Sequence, residues 1–168
     1  FNSVYIDTVI TVFMILFGIN FNLYYFLLLK DWKSVWKNEE LKTYLTLILS
    51  AALLITVNMN HMYPNPFKAF RYAIFQVASI ITTTGYATAD FIEWPMFSQC
   101  MLMFLMMVGA CASSTGGGMK VSRVMMMVKC VKREIMQMAH PKSVSIIRMN
   151  GKKVDQDVLK TLYIYLIA

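Results

Sequence analysis

The stretch Ile81-Thr82-Thr83-Thr84-Gly85-Tyr86-Ala87-Thr88 decides how the rest of the chain is read. It has no helical periodicity, yet apolar segments flank it on both sides. Upstream, residues 67–80 are amphipathic, with Lys68 and Arg71 at one end. That segment is too short to cross a bilayer, which takes about 20 residues. Before it, Asn60-His61-Met62-Tyr63-Pro64-Asn65-Pro66 carries two prolines in three residues and marks a loop. Downstream, residues 89–94 are acidic, Pro95 suits the first turn of a helix, and an apolar run extends from 96 to about 112. Two more apolar runs lie further out. Residues 8–29 are long enough to span, interrupted by Asn20 and Asn22, whose half of the helix is expected to face protein. Residues 44–57 reach spanning length only by starting near Leu41 and ending near Met59.

Composition agrees with a membrane setting. Of 168 residues, 58% are hydrophobic and only 15% charged, and the mean hydropathy is +0.53. A soluble domain carries roughly 45–50% apolar and 25% charged residues, so a soluble enzyme, a disordered chain and a coiled coil are set aside. The net charge of +7 bears on topology before nucleic acid. Four Lys lie at 30–42 and ten Lys or Arg at 120–160, against only Lys68 and Arg71 between 58 and 95. By the positive-inside tendency, 31–43 and the region after 120 are cytoplasmic, and 58–95 starts and ends outside. Its short helix must dip in and return.

The expected class is therefore an all-α membrane protein built on a K⁺-channel-like repeat: outer helix, pore helix, filter loop, inner helix. The divisions are 1–30, the inner helix of a preceding repeat; 31–43, a cytoplasmic loop; and 44–140, a complete repeat. The repeat has a re-entrant pore helix at 67–81, a filter at 82–87 and a broken inner helix at 95–140. Residues 141–157 form a cytoplasmic hairpin and linker, in which Asn150-Gly151 suits a tight turn. Residues 158–168 start a further repeat. The chain opens on Phe1 without a basic leader and stops inside an apolar run, so it reads as an internal segment of a longer protein.

Irregular backbone inside a bilayer is tolerated only where it is buried in protein or lines water. An extended Thr82-Thr83-Thr84-Gly85-Tyr86 could turn its carbonyls toward an axis. Carbonyl rings of this kind replace the hydration shell of K⁺, and the expected K⁺ positions are Thr83, Thr84 and Gly85. The alternative is an ordinary Ser/Thr-rich turn. A second irregular element is Ser113-Ser114-Thr115-Gly116-Gly117-Gly118, followed by Met119 and Lys120. Counted from Pro95 at 1.5 Å per residue, Ser113 lies about 27 Å down, near the inner side. A mobile gate and a passive kink both fit this composition. A nucleotide phosphate loop does not, because Lys120 is neither preceded by Gly nor followed by Ser or Thr. A faint internal repeat relates Phe13-Met14-Ile15-Leu16-Phe17-Gly18 to Phe104-Leu105-Met106-Met107-Val108-Gly109.

Other residues are weaker candidates. His61 and His140 fall on opposite sides of the expected membrane and cannot share a metal. Cys100, Cys111 and Cys130 suit packing, and Met125-Met126-Met127 suits packing better than copper binding. Asp90 and Glu93 could gather cations or be plain solvated charges. Trp94 fits an interfacial anchor. Lys129, Lys132 and Arg133 form a basic face.

These segments resemble the Trk/Ktr/HKT superfamily of potassium transporters, of TrkH/KtrB type. The resemblance rests on Ile81-Thr82-Thr83-Thr84-Gly85-Tyr86 and on Ser113 through Arg123, with support from Phe17-Gly18-Ile19-Asn20-Phe21 and Ile147-Arg148-Met149-Asn150-Gly151. It implies K⁺ uptake across a bacterial inner membrane, with four pseudo-repeats around one pore and this chain holding the third. It implies filter residues Thr82 to Tyr86, a gate of Ser113 to Gly118 with Lys120, and no organic cofactor in this chain. It also implies a homodimer under the control of a cytoplasmic nucleotide-binding RCK-type, TrkA-like subunit. Gly116 departs from the family's usual Ala, and Tyr86 from its usual Phe. The rival functions are a tetrameric one-repeat K⁺ channel and a Na⁺/K⁺ transporter of the same superfamily. A membrane-anchored nucleotide-dependent enzyme would need a catalytic constellation, which the sequence does not offer.

Overall fold

The computed structural model describes residues 3–140, 147–154 and 161. Its described helices follow the order α1 (Val4–Phe17), α2 (Phe21–Leu28), α3 (Trp32–Lys37), α4 (Glu39–Asn58), α5 (Pro66–Ile81), a 3₁₀ turn at Phe91–Glu93, α6 (Met96–Val108) and α7 (Val121–Ala139). A two-stranded hairpin, β1 (Arg148–Met149) and β2 (Lys152–Lys153), comes after them.

α4 is the one described unbroken helix long and apolar enough to cross a membrane. Asn38 caps it, its side chain accepting from the Leu41 amide at 2.9 Å. Tyr44, Ile48, Ala51, Ala52, Ile55 and Met59 recur at helical spacing and are buried along one face, against α5 and α6. α5 begins with Pro66 in its first turn and Asn65 accepting from the Phe67 amide at 3.1 Å. Proline is favoured there because that N–H has no helical partner anyway. From Ala73 onward α5 is buried almost all round, enclosed by α1, α4 and α6. Near its start, Arg71 reaches the buried Asp7 of α1 at 3.7 Å.

Several expected boundaries shift. The run 8–29 is not one helix: α1 and α2 meet at a bend of 91°. The turn falls where α1 is pressed on the fold, with the Tyr44 hydroxyl and the Thr82 methyl packed against Gly18. Asn20 then opens α2, accepting from the Asn22 amide at 3.0 Å, so Asn20 acts as a cap rather than as a polar point within one span. The expected loop 31–43 contains α3. That helix is capped by Asp31, whose carboxyl is held below its ordinary range by hydrogen bonds from the Ser34 hydroxyl and amide. α4 runs from Glu39 to Asn58, close to the extent from near Leu41 to near Met59 that spanning length required. α6 ends at Val108, not near 112, so its 13 residues extend only about 20 Å. Trp94 is 3% exposed and sits in the main core, which corrects its reading as an interfacial anchor.

The hairpin forms as its Asn-Gly turn requires, with φ of 51° at Asn150 and 77° at Gly151. Ile147 packs it on Cys130 of α7. The Asn150 side chain accepts from the Glu39 amide at 2.8 Å, which ties the hairpin to the start of α4. The linker residues 141–146 and 155–157 and, apart from Thr161, the expected start of a further repeat at 158–168 lie outside the described residues.

Candidate functional site

The Thr run begins as the end of α5. Thr82 keeps a helical conformation, and its hydroxyl donates to the Ala78 carbonyl at 2.6 Å. Thr83 then turns to φ 56°. The return is therefore not extended from Thr82, contrary to the expectation from sequence: helix capping holds the first residue, and a left-handed Thr83 reverses the chain. Ser79 organises Thr84, Gly85 and Tyr86. Its carbonyl accepts from the amides of Thr84 at 2.9 Å and Gly85 at 3.4 Å. Its hydroxyl donates to the Tyr86 carbonyl at 2.6 Å. Gly85 has φ 83°, a conformation that L side chains rarely adopt. Thr83, Thr84, Gly85 and Tyr86 lie exposed along one side of the fold.

The break in the second broken helix is longer than the six residues read from the sequence. It runs from 109 to 120, and Gly109 opens it at φ 71°, ψ −166°. Ser113, Gly118 and Lys120 also have positive φ. The segment folds back on itself: the Met119 amide bonds the Met107 carbonyl at 3.2 Å, and the Val121 amide the Ala110 carbonyl at 3.0 Å. The Lys120 ammonium donates to the Gly116 carbonyl, and the Ser114 hydroxyl to the Cys111 carbonyl. The Gly117 amide donates to the Thr83 hydroxyl at 2.8 Å. So the two irregular segments touch. The glycine-rich loop lies directly beside the Thr run, because α6 stops at Val108 and the chain doubles back.

The loop also pairs with the bend between α1 and α2. The Cys111 amide bonds the Gly18 carbonyl at 3.1 Å, and the Phe21 amide the Ser113 carbonyl at 3.0 Å. The Thr115 amide and hydroxyl both reach the Phe17 carbonyl. Each break supplies partners for backbone groups that helix termination leaves open. The faint sequence repeat falls on this feature, since α1 and α6 each end one residue before its glycine, Gly18 or Gly109. Glu40, in the first turn of α4 and 4% exposed, joins the two. Its carboxylate accepts from the Ala112 amide at 2.6 Å and from the Asn20 side-chain amide at 3.4 Å.

Sequence reasoning missed Ser79 and Glu40, and gave Gly18 and Gly109 only as the ends of a faint repeat, with no structural role. Ser79 was legible as a lone hydroxyl just before the Thr run in an apolar helix. Glu40 looked like one of a pair of loop charges. The weaker candidates take distinct places in the fold. Asp90 is a cap that accepts from the Ile92 amide at 3.0 Å, while Glu93 is exposed. Cys111 and Cys130 are buried, whereas Cys100 is exposed and does not pack as expected. Among the described residues no group of His, Cys, Asp or Glu is arranged to hold a metal. Lys129 is partly exposed and pairs with Glu39, donating also to the Arg148 carbonyl at 2.8 Å, so the basic face is not fully free.

A spanning helix, a short buried helix with an irregular return, and a helix broken by a glycine-rich loop define an all-α membrane protein. The TrkH family model, described as a cation transport protein, matches residues 1–168, and the chain belongs to that family. It is 32% identical over 168 residues to the Trk system potassium uptake protein TrkH of Vibrio parahaemolyticus, covering 97% of this chain and 35% of that protein. It is 29% identical over 166 residues to the protein of the same name from Escherichia coli, with 97% and 34% covered. The crystal structure of the potassium transporter TrkH from Vibrio parahaemolyticus superposes with a TM-score of 0.90 at 32% identity, over 100% of this chain and 37% of that one. The chain thus spans about a third of the length of the curated relatives it matches.

Proposed function

We propose that the chain forms one sector of a K⁺ uptake pore in a bacterial inner membrane. In this reading Thr82, Thr83, Thr84, Gly85 and Tyr86 contribute a quarter of a carbonyl filter, with K⁺ held at Thr83, Thr84 and Gly85. The segment Ser113, Ser114, Thr115, Gly116, Gly117, Gly118 with Lys120 is its gate. The hydrogen bond from the Gly117 amide to the Thr83 hydroxyl carries the reading. It supports a loop that stands in the ion path at the inner end of the filter and must leave for ions to pass. The names of the relatives, Trk system potassium uptake proteins, support K⁺ as cargo. A passive kink would have no need to touch the filter residues.

A cytoplasmic RCK-type, nucleotide-binding subunit is the proposed controller, acting on α7 from the side of its exposed Lys132. Homodimeric assembly is the proposed quaternary state. Both rest on the family resemblance, and neither requires an organic cofactor in this chain.

The filter assignment is tested at Gly85 in the full-length protein. A side chain there meets no neighbour, so the change acts through backbone conformation and the exposed face. Gly85→Ser should lower the preference for K⁺ over Na⁺, and Gly85→Asp should abolish uptake. The measurement is growth of a transport-deficient host on low K⁺, with Rb⁺ and Na⁺ uptake. Normal growth with Gly85→Asp sinks the assignment.

A further inference from the structure

The first turn of α4 holds two adjacent carboxylates that do different work. Glu40 points inward, is 4% exposed, and accepts from the backbone of the loop at Ala112 and from Asn20 at the α1–α2 bend. Glu39 lies at the surface and pairs with Lys129 of α7, while its amide is taken by Asn150 of the hairpin. A buried carboxylate is costly unless its oxygens are satisfied, and here the satisfying donors all belong to irregular parts of the chain. The bond to the Ala112 amide is charge-assisted, short at 2.6 Å, and made by a side chain rooted in the longest described helix. Ala112 sits between Gly109, where the loop leaves α6, and Gly117, where it touches Thr83.

We propose that Glu40 is the positioning residue of the gating loop: through the Ala112 amide it fixes residues 109–120 to the first turn of α4 and so holds them against the Thr run. The proposal rests on the gate reading above. Glu40 touches no filter residue and reaches the ion path only through the loop. Glu39 and Lys129 place a second, partly exposed link between the same turn of α4 and α7, the helix that follows the loop. A displacement of α7 breaks the outer pair first, and the loop leaves the filter only when the Glu40 bond also opens. Conduction is thereby coupled to α7 by two links that differ in exposure.

The test uses the full-length protein in proteoliposomes, with Rb⁺ flux, the Rb⁺/Na⁺ ratio and amide exchange at Ala112 as readouts. The variants are Glu40→Ala, Glu40→Gln and a deletion of Gly116–Gly118. Losing a charge-assisted bond should raise basal Rb⁺ flux about tenfold or more in Glu40→Ala, with the Rb⁺/Na⁺ ratio unchanged and faster exchange at Ala112. Glu40→Gln keeps a neutral acceptor for Ala112 but offers Asn20 a donor in place of an acceptor, so it should fall between wild type and Glu40→Ala. The deletion should raise flux if the loop is a gate at all. If the deletion raises flux while Glu40→Ala matches wild type, the gate stands and the tether falls. If neither changes flux, the gate reading falls and the tether with it. Should Glu40→Ala fail to fold, Glu40→Gln decides alone: an intermediate rise in flux and exchange supports the tether, and wild-type values of both overturn it.

Discussion

Gly109→Ala should open the loop at its stem. Gly109 sits at φ 71°, ψ −166°, a region that is essentially glycine's own and costs another residue about 1–3 kcal/mol. The space is also taken. A Cβ there would stand 3.0 Å from the Gly118 Cα and nearer still to the Gly117 carbonyl oxygen. Both obstacles are backbone, so relief requires the two ends of the loop to part, at a further cost of about 1–3 kcal/mol by analogy with overpacked sites. The sum, about 2–6 kcal/mol, falls on the folded-back loop and hardly at all on α6, which ends before it. At 1.4 kcal/mol per tenfold, the closed arrangement loses roughly 30-fold to 10⁴-fold in population. The assay is Rb⁺ uptake by proteoliposomes of the full-length protein, with and without its regulator, after gel filtration has shown a folded sample. Basal flux should rise and the regulator's effect should shrink, while preference for K⁺ over Na⁺ stays with the filter. A folded Gly109→Ala protein with wild-type flux and wild-type regulation would refute both the stem contact and the gate.

Two further perturbations separate the filter from the scaffold. Ser79→Ala removes the hydrogen bond to the Tyr86 carbonyl, a loss of about 0.5–1.5 kcal/mol. It should reduce Rb⁺/Na⁺ preference several-fold in competitive uptake while leaving uptake itself in place, and an unchanged ratio would show that Ser79 does not set the filter backbone. Arg71→Met leaves the carboxylate of Asp7, 2% exposed, without its cation. Breaking a buried pair on one side costs about 3–5 kcal/mol, so the thermal midpoint in detergent should fall, and adding Asp7→Asn should recover part of the loss. If the double variant is no more stable than Arg71→Met, the pair contributes nothing of this kind.

The features legible in the sequence and those hidden from it divide along one physical line. Local signals worked. The amphipathic run after the two prolines placed α5 to within a residue, the apolar stripe from about Leu41 to Met59 placed α4, and Asn150-Gly151 placed the hairpin turn. Each depends on residues within a turn or two of one another. The breaks depend on partners far along the chain. Hydropathy sums treat 8–29 as one apolar span, because Gly18 alone is a weak interruption and the bend is fixed by Tyr44, Thr82 and the loop carbonyls and amides. In the same way, six small residues announced a break at 113–118 but could not show that α6 ends at Val108, since the positions of Gly109 and Gly118 are set by their mutual contact. Glu40 was invisible for a related reason: next to Glu39 it has the composition of a solvated helix start, and only the fold brings Ala112 and Asn20 to it.

The paired breaks also explain why the loop is ordered although no helix runs through it. Helix termination inside a membrane leaves amides and carbonyls that lipid cannot satisfy. Here the bend after Phe17 and the loop after Val108 satisfy one another through Cys111, Ser113 and Thr115. A displacement of the loop would therefore need new partners for Phe17, Gly18 and Phe21 as well, and in the proposed pore water would supply them. If the loop withdraws as proposed, the groups that bind it to the α1–α2 bend, and the Gly117 amide at Thr83, would become hydrated. In the proposed gate, that exchange of partners would offset part of the cost of opening, so that modest binding energy from the proposed regulator could shift the balance. The repeat Phe13–Gly18 and Phe104–Gly109 is the trace of this in the sequence: two similar helix ends, placed to meet.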